Sequence, residues 1–291
     1  MAKAHKTVVA IGKFDGVHIG HQRLLKKASE ISKESNIKST ALIIETPGQK
    51  LVTASYRSKL IKSCGIDDIT LQNLTPDFMN MSAEEFVFEF LLQKLSCAHV
   101  VVGYNFKFAK GRSATADDLK GICEQNGIGC TIVSEVTVSI NDNNVTAGST
   151  KIRELLLCGD VESASKILGR AYSLSGIVAH GKEIGRTINF PTANLSVTSD
   201  IILPKCGVYA TKVKLGDKEY NSITNIGANP TVNADNKITV ETHIIDFSGD
   251  IYEKKITVEF IKKIRDEKKF DSLEELKHQI QKDIEFALLT K

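Results

Sequence analysis

The sequence predicts an α/β domain followed by an all-β one: an amino-terminal doubly wound parallel sheet, then a small antiparallel β-barrel with a terminal helix. Three observations predict it. Up to about residue 170, short apolar runs alternate with helical patterns. From Tyr172 the period changes from helical to alternating, and Gly, Asn and Asp turns separate the runs. A chain of 291 residues is long enough for two cores of ordinary size. The boundary is expected near Gly169–Tyr172, giving domains over 1–170 and 171–291.

The first half opens with Thr7–Ile11, an apolar run that reads as a buried strand. A polar turn follows, and from His18 to Glu34 the pattern is helical, with Leu24, Leu25, Ala28 and Ile31 on one face. Gly12, Gly16 and Gly20 are expected to let the backbone turn tightly. His18 and His21 then stand at the opening of the helix, where free amides and the positive end of the dipole suit a phosphate. Three residues apart, both can donate to phosphoryl oxygens as charge shifts between them. A zinc pair is a poor alternative, because no third ligand follows at metal spacing. Ordinary turn histidines are the other. Strand, turn and helix with His-x-Gly-His resemble the nucleotidyltransferase signature, in which a nucleotide's alpha-phosphate is attacked and pyrophosphate leaves.

Ser39–Ile44 reads as a second buried strand, residues 55–64 as a helix, and Ile66–Leu71 as a strand. Ser82 and Glu85 form a capping box that opens a helix through Leu95, and Ala98–Val102 is a strand buried on both faces. At the end of that strand stands Gly103-Tyr104-Asn105-Phe106-Lys107-Phe108-Ala109-Lys110-Gly111-Arg112. Such a turn can stack a flat ring and hold a phosphate, or its Phe residues can simply be core. Ser149-Thr150-Lys151-Ile152-Arg153 opens a short helix through Leu157, with Ser149 or Thr150 as its cap. Its hydroxyls, free amides and guanidinium make a second anion site, unless it is merely a cap. A further helix covers Val161–Leu168.

In the second half, Ser173–His180, Gly207–Leu215, Lys218–Ile226, Thr239–Phe247 and Lys255–Ile261 read as strands. A capping box at Asp271–Glu275 starts the last helix, with Leu276, Ile280, Ile284 and Leu288 as its core stripe. The loop Gly181-Lys182-Glu183-Ile184-Gly185-Arg186-Thr187 is glycine-rich and basic, yet lacks the Gly-Lys-Ser/Thr ending of a Walker A loop. Thr192 and Asn194 lie two apart, so on an extended segment their oxygens face one side and can share a magnesium ion with nucleotide phosphates. Glu241, among apolar strand neighbours, can take a proton from a hydroxyl nucleophile or serve a cross-strand salt bridge.

Totals narrow the classes. Hydrophobic content of 42% and charged content of 25% are those of a globular protein. A net charge of +3, with basic and acidic residues interspersed, argues against a dedicated nucleic-acid surface. No apolar stretch is long enough to span a bilayer, and the amino terminus shows no signal-peptide core. Six scattered cysteines without a Cys-x-x-Cys pair read as small buried residues in a reducing cytoplasm. Self-association is left open.

From about residue 6 to the last helix, the chain resembles the bacterial bifunctional riboflavin kinase/FAD synthetase (FMN adenylyltransferase) family. The marks are Gly-Lys-Phe-Asp-Gly-Val-His-Ile-Gly-His at 12–21, Gly-Tyr-Asn-Phe-Lys-Phe at 103–108 and Ser-Thr-Lys-Ile-Arg at 149–153. In the second half they are Phe-Pro-Thr-Ala-Asn-Leu at 190–195, Gly-Val-Tyr-Ala at 207–210, Asn-Ile-Gly-Ala-Asn-Pro-Thr at 225–231 and Glu-Thr-His-Ile-Ile-Asp-Phe at 241–247. The resemblance implies a Rossmann-like nucleotidyltransferase domain and a riboflavin kinase barrel. In the barrel, riboflavin and ATP would give FMN, with Glu241 as base, Thr192 and Asn194 on Mg2+, and Gly181, Gly185, Arg186 and Thr187 over the phosphates. In the first domain, FMN and a second ATP would give FAD and pyrophosphate. There His18 and His21 would steady the transition state, while Ser149, Thr150 and Arg153 grip the leaving phosphates. Gly12, Phe14, Asp15, Gly20 and Asn105 would be further ATP contacts. Phe106 and Phe108 would face flavin or adenine, and Arg265 the flavin.

Three departures fall in the first half. Ile44-Glu45-Thr46-Pro47-Gly48 stands where the family has an Asp-Pro-His-Pro-like segment. Phe108-Ala109-Lys110-Gly111-Arg112-Ser113-Ala114 replaces Phe-Gly-x-x-Arg-x-Gly, and Gly148-Ser149 replaces a double serine. Losing one preorganised donor costs on the order of a hundredfold, so the second reaction is expected to be slow or altered. Two other functions compete: a riboflavin kinase with a regulatory first domain, and a flavin-binding regulator without turnover.

Overall fold

The computed structural model describes residues 6–180, 190–228 and 238–290. It holds two compact units: the chain up to Gly48 with Thr53–Gly148, and Gln49–Val52 with Ser149–Lys291.

In the first unit, β1 (Thr7–Gly12) lies between β2 (Lys38–Glu45) and β4 (Cys97–Gly103), β3 (Asp68–Asn73) flanks β2, and β7 (Gly129–Val133) flanks β4. All four pairings are parallel. Because side chains alternate along a strand, β1 feeds a core on each face. Val8 and Ala10 meet Leu24, Leu25 and Ala28 of α1 (Ile19–Ser35); Val9 and Ile11 share the opposite core with Phe86, Phe90 and Leu119. The strand order reverses between β1 and β4, which opens a crevice at the carboxyl ends of the strands. Helix α2 (Ala54–Ser63) returns the chain from β2 to β3.

After α3 (Pro76–Asn80), the capping box of α4 (Ala83–Glu85) is present in both directions, Glu85 accepting from the Ser82 amide at 2.7 Å. Beyond it Phe86–Lys94 winds as a π-helix. The sequence pattern does not signal this. Two short pairs, β5 (Lys107–Phe108) with β6 (Ala114–Thr115) and β8 (Thr137–Ile140) with β9 (Asn143–Thr146), complete the unit together with α5 (Ala116–Gln125). Neither α5, β7 nor the β8–β9 hairpin is anticipated above.

The second unit begins with α6 (Ser149–Cys158) and α7 (Val161–Leu168), the latter capped by Asp160 and stopped by Gly169 at φ 72°. Six strands then close an antiparallel barrel: β10 (Tyr172–Ala179), β11 (Ala193–Ser196), β14 (Ile238–Ile244), β13 (Lys218–Ala228), β12 (Gly207–Leu215) and β15 (Lys255–Arg265), in that spatial order. Helix α8 (Leu273–Leu289) lies against it.

Two expectations for α8 need correction. Steps of four advance about 400°, so the stripe Leu276, Ile280, Ile284, Leu288 drifts around the helix. Asp283, Ile284 and Ala287 are the buried positions, and Leu288 is half exposed. Ser272 caps the helix, but Glu275 reaches back to the Asp271 amide at 3.4 Å rather than to that of Ser272, so the capping box is incomplete. The cysteines are all free, as expected, but only Cys97 and Cys123 are buried, and Cys158 is exposed.

Candidate active sites

The turn after β1 is strained. Phe14 (φ 50°), Gly16 (φ 77°) and Val17 (φ 42°) all occupy left-handed backbone, which is costly for a β-branched residue. Only Gly16 serves the turn as expected. Gly12 and Gly20 instead permit close approach: a Cβ on Gly12 would lie 3.0 Å from the Phe14 ring, and one on Gly20 3.1 Å from the His18 ring. The buried Phe14 ring meets His21 edge-on at 5.3 Å. Asp15 and His18 are also buried.

His18 is the cap of α1. Its Nδ1 accepts from the His21 amide at 3.4 Å, so when neutral it keeps its proton on Nε2. The two imidazoles stack at 3.7 Å. The Nδ1 of His21 is buried with no hydrogen-bond partner, and burial, aided by neighbouring His18, holds its pKa well below the ordinary 6.5. His21 is therefore a neutral imidazole near pH 7.

Beneath this turn lies an ion pair between a buried arginine and a half-buried carboxylate that sequence reasoning missed. Arg57 of α2 pairs with Glu45 at the end of β2 and donates to the Lys13 carbonyl at 3.4 Å. Its Nε is buried and unpartnered. The pair's carboxylate, Glu45, lies in the 44–48 segment noted above only as a departure from a family pattern. Removing the buried arginine leaves the half-buried Glu45 carboxylate without its cation. Arg57→Met is accordingly expected to destabilise the first unit by about 1–3 kcal/mol, read from its thermal denaturation midpoint.

In the 103–112 turn, Tyr104, Asn105, Lys107, Lys110 and Arg112 are exposed. Phe108 is not available to a ligand face. It is buried against Phe86 (centroids 5.0 Å), with the half-buried Phe106 stacked on it at 5.6 Å. A cavity of about 710 Å³ runs along α1 beside β7, with Gln22, Arg23, Lys26 and Lys27 on one wall and Thr131 and Ser134 on the other. Helix α6 starts at Ser149, so the cap position falls on Gly148, and Ser149 and Thr150 lie in the first turn. Arg153 donates to the Gln49 carbonyl at 3.0 Å.

The second unit has a cleft of about 310 Å³ whose wall includes Thr192, Asn225, Glu241, His243 and Arg265. Antiparallel register sets Glu241 of β14 between Asn194 of β11 and Asn225 of β13. Thr239 donates to the Glu241 carboxylate at 3.4 Å, and among the described residues no cation pairs with it. Thr192 and Asn194 are half-buried while Ala193 and Leu195 are buried, so the first two share a face. Arg265, at the end of β15, is clasped by the buried Asp283 of α8 through bonds of 2.8–3.1 Å. Gly181, Gly185, Arg186 and Thr187 lie outside the described residues.

Comparison with known proteins follows this division. Residues 1–148 match the FAD synthetase family and residues 168–290 the riboflavin kinase family. A bifunctional riboflavin kinase/FMN adenylyltransferase of Buchnera aphidicola (subsp. Schizaphis graminum) is 37% identical, over 97% of this chain and 93% of its own. That of Bacillus subtilis is 33% identical over 97% and 92%, and that of Escherichia coli K12 34% over 98% and 94%. The chain belongs to the bifunctional riboflavin kinase/FMN adenylyltransferase family. A crystal structure named as a macrolide-efflux protein from Streptococcus pneumoniae superposes with a TM-score of 0.88 at 29% identity, over 99% of this chain and 95% of that one. No helix among the described residues is long and apolar enough to cross a membrane.

The His18–His21 turn falls in the FAD synthetase match and the Glu241 cleft in the riboflavin kinase match. Asn225, His243 and Asp283 are wall residues the sequence reading passed over. His243 follows Glu241 by two on one strand, a period-two signal that was legible.

The buried neutral His21 has a measurable consequence. An unfolded chain protonates this histidine below pH 6.5, whereas the folded one resists. Its contribution to stability is complete above that pH and is lost as pH falls through it, by up to about 1.4 kcal/mol per pH unit. The denaturation midpoint of wild type is expected to fall more steeply between pH 6.5 and the lower folded value than that of His21→Gln.

Proposed function

We propose that this chain phosphorylates riboflavin with ATP to give FMN, then adenylylates FMN with a second ATP to give FAD and pyrophosphate. The observation that carries the reading is Glu241, flanked in register by Asn194 and Asn225 at a cleft and free of any cation among the described residues. A carboxylate so placed accepts the proton of the riboflavin 5'-hydroxyl as that oxygen attacks the gamma-phosphorus, while the bond to the ADP oxygen breaks. The hydroxyl of Thr192 and amide oxygen of Asn194 form an all-oxygen pair on one strand face, which fits Mg2+ shared with phosphate oxygens. Bound there, the ion would neutralise phosphate charge. Arg265 contributes to the cleft wall that receives the flavin.

For adenylylation, an FMN phosphate oxygen attacks the alpha-phosphorus of ATP and pyrophosphate leaves. His18 donates from Nε2, and neutral His21, whose Nδ1 is buried, donates from Nε2 in the tautomer that holds its proton there, toward the charge that develops. Gly12, Phe14, Asp15 and Gly20 shape the turn, the basic cavity along α1 suits an anionic substrate, and Asn105 with Phe106 supplies polar and aromatic contacts. Ser149, Thr150 and Arg153 are proposed to bind phosphate. The functional division is proposed at 1–170 and 171–291, which assigns α6 and α7 of the second compact unit to the first activity. The free thiols fit a reducing cytoplasm.

One incubation with riboflavin, ATP and magnesium, followed by chromatography, tests both halves. FMN and then FAD are expected. No FMN refutes the kinase assignment, and FMN without FAD leaves a kinase with a non-catalytic first domain.

A further inference from the structure

We propose that His243 is a positioning residue for riboflavin phosphorylation: its imidazole holds the Pro191 carbonyl and thereby sets Thr192 at the cleft. The inference rests on the kinase reading of the barrel. The β11–β14 ladder pairs Asn194 with Glu241 and Ala193 with Thr242, and the described pairing stops there. Continued by one step, it would bring Thr192 opposite His243. Pro191, one residue further out, has no N–H and can only accept a bond. The His243 ring supplies that bond, its Nδ1 lying 2.8 Å from the Pro191 oxygen. Since a carbonyl cannot donate, Nδ1 carries the proton. The same ring meets Phe190 edge-on at 5.5 Å.

One side chain therefore holds the two residues that precede Thr192, and it does so from the strand that carries Glu241. His243 and Glu241 are two apart on β14 and both line the cleft with Thr192. Thr192 is thus held from both sides relative to the proton acceptor, by the Ala193–Thr242 ladder pair after it and by the His243–Pro191 bond before it. Phosphoryl transfer depends mainly on such positioning, and a misplacement of about 1 Å costs roughly a hundredfold.

The test compares His243→Asn, His243→Gln and His243→Ala in the full chain. An Asn amide nitrogen sits near the position of Nδ1 and can donate to the carbonyl, whereas a Gln amide reaches toward Nε2. His243→Ala and His243→Gln are expected to lower kcat for FMN formation by roughly 10- to 100-fold, with KM for riboflavin within about threefold. They are also expected to weaken Mg·ADP binding in calorimetry, while His243→Asn restores both. Without any metal, a slowly exchanging Nδ1 proton should appear in the imidazole NMR spectrum and vanish in His243→Ala. Unchanged kcat in His243→Ala overturns the proposal, as does an Asn variant no better than the Gln variant. If the Ala variant does not fold, the Asn and Gln pair decides alone. Wild type that forms no FMN sinks the kinase reading instead, so the two failures are distinguishable.

Discussion

Glu241→Gln is expected to lower kcat for FMN formation by roughly 10²- to 10⁴-fold, the range of a lost general base. The substitution keeps the size of the side chain and the register with Asn194 and Asn225, so KM for riboflavin should hardly move. It removes the one property the mechanism asks of this residue, a lone pair basic enough to take the hydroxyl proton. FMN adenylylation by the same variant should match wild type, because Glu241 sits in the barrel and the histidine turn in the other unit. Initial rates of both reactions, followed by chromatography, settle it. FMN formation within threefold of wild type would mean that the proton leaves by another route.

The converse result is expected from His21→Ala, with FAD formation from FMN lowered by about 10²- to 10³-fold and FMN formation intact. This loss has two sources. A donor aimed at the phosphoryl group goes, and so does the ring that stacks on His18 at 3.7 Å and touches Phe14 at 5.3 Å. His21→Gln separates them, since it restores a donor but not the stack. If both variants adenylylate FMN at the wild-type rate, the turn after β1 is not the site. If either one damages FMN formation while the chain stays folded, the separation of the two sites fails.

Much of this molecule was legible because its signals are local. Apolar runs marked β1, β2 and β4, and α7 covers Val161–Leu168 as read. The period change at Tyr172 marked the barrel. The resemblance carried by the ordered motifs named the family that the comparisons support. Other elements were missed for reasons equally local. Strand β7 is mostly half-buried and shows no alternation, and the β8–β9 hairpin announces itself only through Asn141 and Asp142, both at positive φ.

What the sequence determined by itself, then, was the kind of those elements with a clear local period and which residue types stood at each turn and strand end, since periodicity and turn chemistry act over a few residues. Only the tertiary structure decided who meets whom. It put Phe108 in the core, turned Leu288 toward solvent, joined Arg57 to Glu45, and clasped Arg265 to Asp283. Glu241 gained Asn225 from the strand before it and Asn194 from β11, distant in sequence, through the pairing that builds the barrel. The physical reason is that such contacts follow from register and topology: burying both faces of a sheet, or closing a barrel, selects one long-range pairing among many that the local pattern permits.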